Sequence, residues 1–161
     1  MIILGIDPGI ERLGWGVVQK TQTGFLRLDS GVKRTLSTDN KGKRLFEIYG
    51  FLDDLMLHRK PALLGVERLF FTTNAKTAIT IGEVRGIILA LAAKHSVPTV
   101  ELSPPEIKSA IGGYGKADKK DVKAMLRFSI DLPSRAMLDD ETDALAIAIT
   151  AAVINGNRYD H

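Results

Sequence analysis

The fourteen residues from Leu138 to Ala151, Leu-Asp-Asp-Glu-Thr-Asp-Ala-Leu-Ala-Ile-Ala-Ile-Thr-Ala, constrain this chain more than any other stretch. The segment opens with Asp139, Asp140, Glu141 and Asp143 and then runs almost wholly apolar through Ile154. Asp is favoured as a helix cap and in the first turn, where exposed N–H groups and the dipole attract negative charge. Ala, Leu and Ile at nearly every later position leave no polar face, so the helix is expected to be buried. The chain therefore drives a helix into its core with carboxylates at the leading end. Asp140 and Asp143 are three apart and share one face. Two like charges held side by side repel unless a cation sits between them. Taken alone, the segment also reads as a cap followed by solvated first-turn acids, the commoner use of acids at a helix start.

A chain of 161 residues suits one domain, here 1–161, with a core large enough to need no staples. Cysteine is absent, which excludes disulfides, zinc–thiolate sites and thiol catalysis. The start, Met-Ile-Ile-Leu-Gly-Ile-Asp, lacks a basic segment and meets an acid at Asp7, so it does not read as a signal peptide. Apolar runs are broken by charge or glycine before they reach membrane-spanning length, and a cytoplasmic protein is expected. The formal charge is only +3, but setting four acids aside for one site leaves the rest decidedly basic. Basic residues cluster at Lys41, Lys43 and Arg44, and again at Lys116, Lys119, Lys120, Lys123 and Arg127. A basic surface around an acidic pocket suits a polyanionic substrate handled through divalent metal. Solvated lysine-rich helix faces are the ordinary alternative.

Residues 1–36 read as three strands. Met1 to Ile6 is a short apolar run that ends in the turn Asp7-Pro8-Gly9, Leu13 to Val18 is the second strand, and Phe25 to Val32 is the third. Tight turns between them suggest an antiparallel meander. Gly14 and Gly16 inside the second strand suggest that another backbone, or a substrate, passes close by. Residues 39–58 form an amphipathic helix with apolar residues recurring at three and four, and Pro61 ends it. Ala62 to Val66 reads as a buried strand with Glu67 at its end. A helix from Asn74 to Lys94, a strand from Val97 to Leu102, a short helix from Pro104 to Ile111 and a helix from Lys119 to Ile130 precede the opening segment. A meander followed by strand–helix alternation implies an α/β fold, a five-stranded mixed sheet with helices on both faces.

In open α/β sheets ligands gather beyond the carboxyl ends of parallel strands. Asp7 ends the first strand and Glu67 the fourth, and these two strands are natural parallel neighbours. The helix carrying Asp140 and Asp143 can lie across them, so that four carboxylates from three elements converge. Singly, Asp7 reads equally well as a turn former and Glu67 as a surface acid; jointly, a site is the better reading. Oxygen-only ligands select Mg²⁺, or Mn²⁺, over zinc. Two such ions about 3.5–4 Å apart form the arrangement that cleaves phosphodiesters. Asp7, between the other elements, is the expected bridging ligand.

Five segments together carry a family resemblance: Ile3-Leu-Gly-Ile-Asp-Pro-Gly9, Gly65-Val-Glu67 with Phe70, Gly82-Glu-Val-Arg-Gly86, Pro104-Pro-Glu-Ile-Lys108, and Asp140-Glu-Thr-Asp-Ala-Leu-Ala-Ile-Ala148. In this order and spacing they resemble the RuvC Holliday-junction resolvases over essentially the whole chain. The first motif alone is weak, since actin-like kinases begin similarly; the ordered set is specific. The resemblance implies a ribonuclease-H-like fold, a homodimer, and paired Mg²⁺-dependent incisions in a four-way DNA junction that leave 5′-phosphate and 3′-hydroxyl ends. It implies a branch-migration motor as partner and a role in DNA recombination and repair. By position, Asp7, Glu67, Asp140 and Asp143 take the family's catalytic, metal-binding roles at two ions per subunit, and Asp139 falls outside that register. Lys108 and Lys119 fall where the family places basic residues near the scissile backbone, and Phe70 falls on its junction-contacting aromatic. Phe71 is then expected to pack inward.

Leu102 stands where an aromatic is common before the Pro-x-x-hydrophobic-Lys motif, and Asp121 replaces a frequent glutamine. Few residues follow Tyr159, so a basic tail is not expected. The helix from Asn74 to Lys94 is the expected dimer contact. Gly82 and Gly86, with Ala75, Ala78 and Ile79 near their face, would let a partner backbone approach; packing on the chain's own sheet is the alternative. Two other function classes fit the sequence: a nuclease of the same fold acting on another branched or hybrid nucleic acid, and a catalytically silent junction-binding protein. The complete acid quartet argues against the second.

Overall fold

Strand β1 (Ile2–Asp7) lies at the centre of a five-stranded sheet, in the order β3-β2-β1-β4-β5. This computed structural model describes residues 1–68, 75–112, 121, 124–126 and 129–159. β2 (Arg12–Lys20) and β3 (Phe25–Arg34) pair antiparallel in the expected meander, each longer than its apolar run. Gly24, at φ 151°, closes the second turn in a conformation that favours glycine, and Thr21 donates to its carbonyl. β4 (Leu63–Glu67) lies parallel to β1, and β5 (Thr99–Leu102) parallel to β4.

Among the described residues, α1 (Lys41–Arg59), α2 (Ala75–Lys94), α3 (Pro104–Gly112) and α4 (Asp139–Tyr159) cover the sheet. Asn40 caps α1 by accepting from the Lys43 N–H at 2.9 Å, and Lys60 ends it in a left-handed conformation one residue before Pro61. β5 starts two residues later than the apolar run suggests. Ser96 turns left-handed and the Val97 N–H bonds back to Ala92, so Val97 closes the end of α2 rather than opening a strand. Ser103 and Glu106 form a reciprocal capping box at the start of α3, with bonds of 2.6–3.4 Å. Pro104 and Pro105 indicate a helix start in the sequence; Ser103 with Glu106 is the stronger signal, and the reading missed it. Asp121, 124–126 and Ser129 are helical, as expected there.

The sheet divides the core in two. Leu4, Ile6, Leu64 and Val66 pack against Ile48, Leu52, Val84 and Ile88 of α1 and α2. Ile3, Leu63, Val100 and Leu102 pack against α4, whose residues 144–152 are all buried. α4 is thus the buried helix its composition demands. The residue before it is Leu138, so the acids fill its first turn rather than its cap.

Candidate active site

Alternation along the strands decides which way the acids point. In β1, Ile3 and Gly5 face α4 while Leu4 and Ile6 face α1 and α2, so Asp7 belongs to the α4 side. In β4, Leu63 and Gly65 face α4 while Leu64 and Val66 face away, which puts Glu67 on the same side. Ile6 pairs with Val66, so Asp7 and Glu67 end adjacent parallel strands, about 4.8 Å apart by ordinary strand spacing.

Glycines bring α4 down onto these strands. A Cβ on Gly14 would lie 1.9 Å from the Asp140 carbonyl oxygen, and one on Gly5 2.1 Å from that of Ala144. On Gly65 it would lie 2.8 Å from the Ala151 Cβ. The body that passes close to Gly14 and Gly16 is therefore the backbone and side chains of α4 itself. Gly14 is the strand partner of Asp7. Asp140 is thereby seated beside Asp7, and Asp143, one turn on, follows along the same helix face toward Gly5.

The four acids are half-buried. Oδ2 of Asp140 lies 3.2 Å from Arg12 Nε, yet it is shut off from solvent and takes no hydrogen bond. A buried carboxylate oxygen without a hydrogen bond is costly, and a hard cation is the partner that would satisfy it. The donor set, all carboxylate oxygen, fits such an ion. Among the described residues no three His, Cys, Asp or Glu side chains already stand as a closed metal cage. What converges is the set of elements that carry the acids. Beside Asp140 opens a cleft of about 400 Å³, bordered by Pro8, Gly9, Arg12, Thr77 and Thr80.

Two arginines that sequence reasoning left without a role flank the site. Arg12 sits at the start of β2. Arg85, buried on α2, donates to the Glu67 carbonyl oxygen and, at 2.5 Å, to Oε2 of Glu101, and so anchors the end of β4 from the opposite face. Its only sequence signal was its place between Gly82 and Gly86. Lys108 is half-buried on α3, which leaves the sheet beyond β5, the neighbour of β4. Asp139, outside the expected register, is exposed. Phe70, Phe71 and Lys119 lie outside the described residues, as do Lys116, Lys120, Lys123 and Arg127. Each residue of the first basic cluster has a partner in the chain, although Lys41 and Lys43 stay exposed. Lys41 pairs with Glu83 and Lys43 with Asp39, both at 2.9 Å, and Arg44 donates to Thr35 at 2.8 Å.

A mixed sheet of this order, with acids at the ends of β1 and β4 under an acid-led helix, places the chain among the ribonuclease-H-like nucleases. The yeast mitochondrial Holliday junction resolvase Ydc2 shares the fold, with a TM-score of 0.72 at 18% identity over 98% of this chain and 80% of that one. T. thermophilus RuvC in complex with Holliday junction substrate superposes with a TM-score of 0.90 at 31% identity, over 96% of this chain and 94% of that one. Residues 3–151 match the family model described as crossover junction endodeoxyribonuclease RuvC. Proteins of that description from Roseiflexus sp. and Pseudothermotoga lettingae are each 42% identical to it. The first aligns over 91% of this chain and 87% of its own length, the second over 92% and 91%.

The chain belongs to the RuvC family of crossover junction endodeoxyribonucleases. It is a metal-dependent nuclease that resolves four-way DNA junctions in recombination and repair.

Proposed function

We propose that Asp7, Glu67, Asp140 and Asp143 are the catalytic and metal-binding residues of this resolvase, and that they hold two Mg²⁺ ions per subunit, for which Mn²⁺ can substitute. The observation that carries this reading is the seat of Asp140 on Gly14, the strand partner of Asp7. It supports the reading because it seats Asp140 beside the end of β1, next to a cleft of about 400 Å³. Bound ions of this kind acidify and orient the attacking water and stabilise charge on the phosphate and the leaving 3′ oxygen. The protein's part is geometry and charge. Asp7, at the end of the strand between β2 and β4, would hold the metal together with Glu67 at the end of β4 and with Asp140 and Asp143 of α4. Lys108 and Lys119 offset the negative charge of the phosphate, and the products carry 5′-phosphate and 3′-hydroxyl ends. Phe70, three residues after Glu67, stacks on a base exposed at the crossover, a contact that contributes roughly 1–3 kcal/mol per base.

We further propose that residues 1–161 form one nuclease domain that works as a homodimer, because two symmetric cuts need two sites and a twofold axis. The outer face of α2 suits that contact. Ile79 is 62% exposed, and a Cβ on Gly86 would meet nothing within 4 Å. The chain's own sheet therefore does not account for this face. A branch-migration motor is the expected partner. No helix among the described residues is long and apolar enough to cross a membrane, and the proposed location is the cytoplasm.

The test is a cleavage assay on four-way junction, linear duplex and RNA–DNA hybrid, with and without Mg²⁺. Nicks at symmetric positions in the junction alone, dependent on Mg²⁺, are expected. Preferred cutting of the hybrid would reassign the substrate, and junction binding without any cleavage would make the protein a silent binder.

A further inference from the structure

We infer that Arg135, Glu141 and Ser30 form a positioning clamp that sets the first turn of α4, and with it Asp140 and Asp143, for metal binding. This rests on the proposed roles of those two aspartates. Glu141 sits directly between them in sequence, yet only 2% of its side chain is exposed. A buried carboxylate in the leading turn of an apolar helix needs a reason, and its partners supply one. Arg135 donates to both of its oxygens, Nη1 to Oε2 at 2.8 Å and Nη2 to Oε1 at 2.6 Å. The Ser30 hydroxyl donates to Oε1 at 2.7 Å. Arg135 Nη2 also reaches the Ser30 carbonyl oxygen at 3.4 Å. Three separate pieces of chain are joined at one carboxylate: β3, the connector before α4, and α4 itself.

A second arginine strengthens the join. Arg27 donates to the Asp131 carbonyl and to the Ser30 hydroxyl, each at 3.4 Å.

Stability alone is a weak account of this arrangement. The Arg135 side chain is 53% exposed, and solvent screens its attraction for the buried carboxylate, so the pair contributes little net stability. What a two-pronged Arg–carboxylate contact does supply is a fixed orientation. Gly14 seats the Asp140 backbone from the β2 side, and the clamp holds the next residue from the β3 side. The first turn is gripped from both flanks and cannot roll about the helix axis. Outer partners of this kind usually set metal affinity as strongly as some ligands do. Arg135 and Glu141 are positioning residues here; neither is required to touch metal or DNA.

The test uses the full chain and reads Mn²⁺ binding by electron paramagnetic resonance without DNA, alongside kcat and KM on a junction and thermal melting. Arg135→Ala and Glu141→Gln are expected to weaken Mn²⁺ binding and lower kcat, each by about tenfold or more, with KM unchanged. Arg135→Lys keeps the cation and one hydrogen bond and is expected to fall between Arg135→Ala and the parent. Wild-type Mn²⁺ affinity and kcat in Arg135→Ala, whatever its melting temperature, would overturn the clamp. Should that variant not fold, the same result in Glu141→Gln and Arg135→Lys overturns it equally. Asp140→Asn separates the two readings. If it loses Mn²⁺ while Arg135→Ala keeps it, only the clamp is wrong; if it binds and cuts normally, the proposed site is wrong.

Discussion

The two faces of the sheet are packed on opposite principles. Against α1 and α2 the sheet presents Leu4, Ile6, Leu64 and Val66, and large side chains hold the layers apart. Against α4 it presents Gly5, Gly14, Gly16 and Gly65, and the helix answers with Ala144, Ala148 and Ala151, so that backbone nearly meets backbone. A layer spaced by flexible aliphatic chains tolerates repacking. Where α4 crosses these glycines it cannot shift without a clash, although Ile3, Leu63, Val100 and Leu102 pack beside the crossing. The rigid face is also the one that bears the acids, where a small misplacement of a reacting group costs a large factor in rate.

The largest effects should fall on the chemistry of the α4 face. Asp7→Asn, Glu67→Gln, Asp140→Asn and Asp143→Asn are each expected to lower junction cleavage by about 10²–10³-fold or more, on the scale of losing one preorganised electrostatic group. Junction binding in a gel-shift assay should survive. Melting temperature without metal should hold or rise, because each change relieves carboxylate repulsion while keeping shape. Near-normal cleavage by the Asp140 and Asp143 variants would remove chemistry from this face. Activity lost only on Asp139 substitution would move the register by one residue.

A pair of glycine substitutions probes the packing difference itself. In Gly5→Ala the new methyl would lie 2.1 Å from the Ala144 carbonyl oxygen, so α4 must move; a loss of roughly 3 kcal/mol or more is expected, at or beyond the usual overpacking range. Gly50→Ala, inside α1 with nothing within 4 Å, should instead gain about 0.5–1 kcal/mol from helix propensity. Urea unfolding measures both, and equal effects would erase the contrast.

Core truncation on the other face should damage stability without touching chemistry. Leu52→Ala and Ile88→Ala, both fully buried, are each expected to lose about 2–5 kcal/mol. Cleavage per folded molecule at low temperature should stay at the parent value. A fall in kcat there would show that α1 and α2 hold the acids as closely as α4 does.

The smallest effect concerns Asp53 on α1, which accepts from Lys94 at 2.6 Å and meets His95 at 2.5 Å. Hydrogen bonds from Lys94, then His95, hold its carboxyl below the ordinary value of 3.8. A depressed carboxyl contributes stability that is present above that value and is lost as pH falls through the lower, folded one. Asp53→Asn should therefore flatten the acid side of the melting-temperature profile below about pH 4 and leave cleavage alone. Identical acid profiles in variant and parent would show that the Asp53 contacts contribute nothing to α1 docking.

Much of the fold was legible along the chain because period two and period three-to-four patterns mark strands and helices directly. The meander, the buried α4 and the placement of Asp7 and Glu67 at strand ends all followed from such patterns. The start of β5 did not, because Val97 is as apolar as a strand residue and only its bond back to Ala92 assigns it to the end of α2. The partners of the Lys41–Arg44 cluster, Glu83, Asp39 and Thr35, could not be read along the chain. Arg85 and Arg12 carried no periodic signal and emerged only from what they touch.

The sequence by itself determined that a wholly apolar helix led by acids must be buried, and its glycines at Gly14 and Gly16 marked a strand that another backbone or a substrate approaches. Composition and periodicity act locally, so they can be read locally. Only the tertiary structure decided that Gly14 receives Asp140, that Arg85 anchors the end of β4, and that Glu141 meets Ser30 across 111 residues of chain. Those contacts depend on which surfaces the sheet order brings together. A side chain carries no mark of its distant partner until packing has fixed the distance and angle between them.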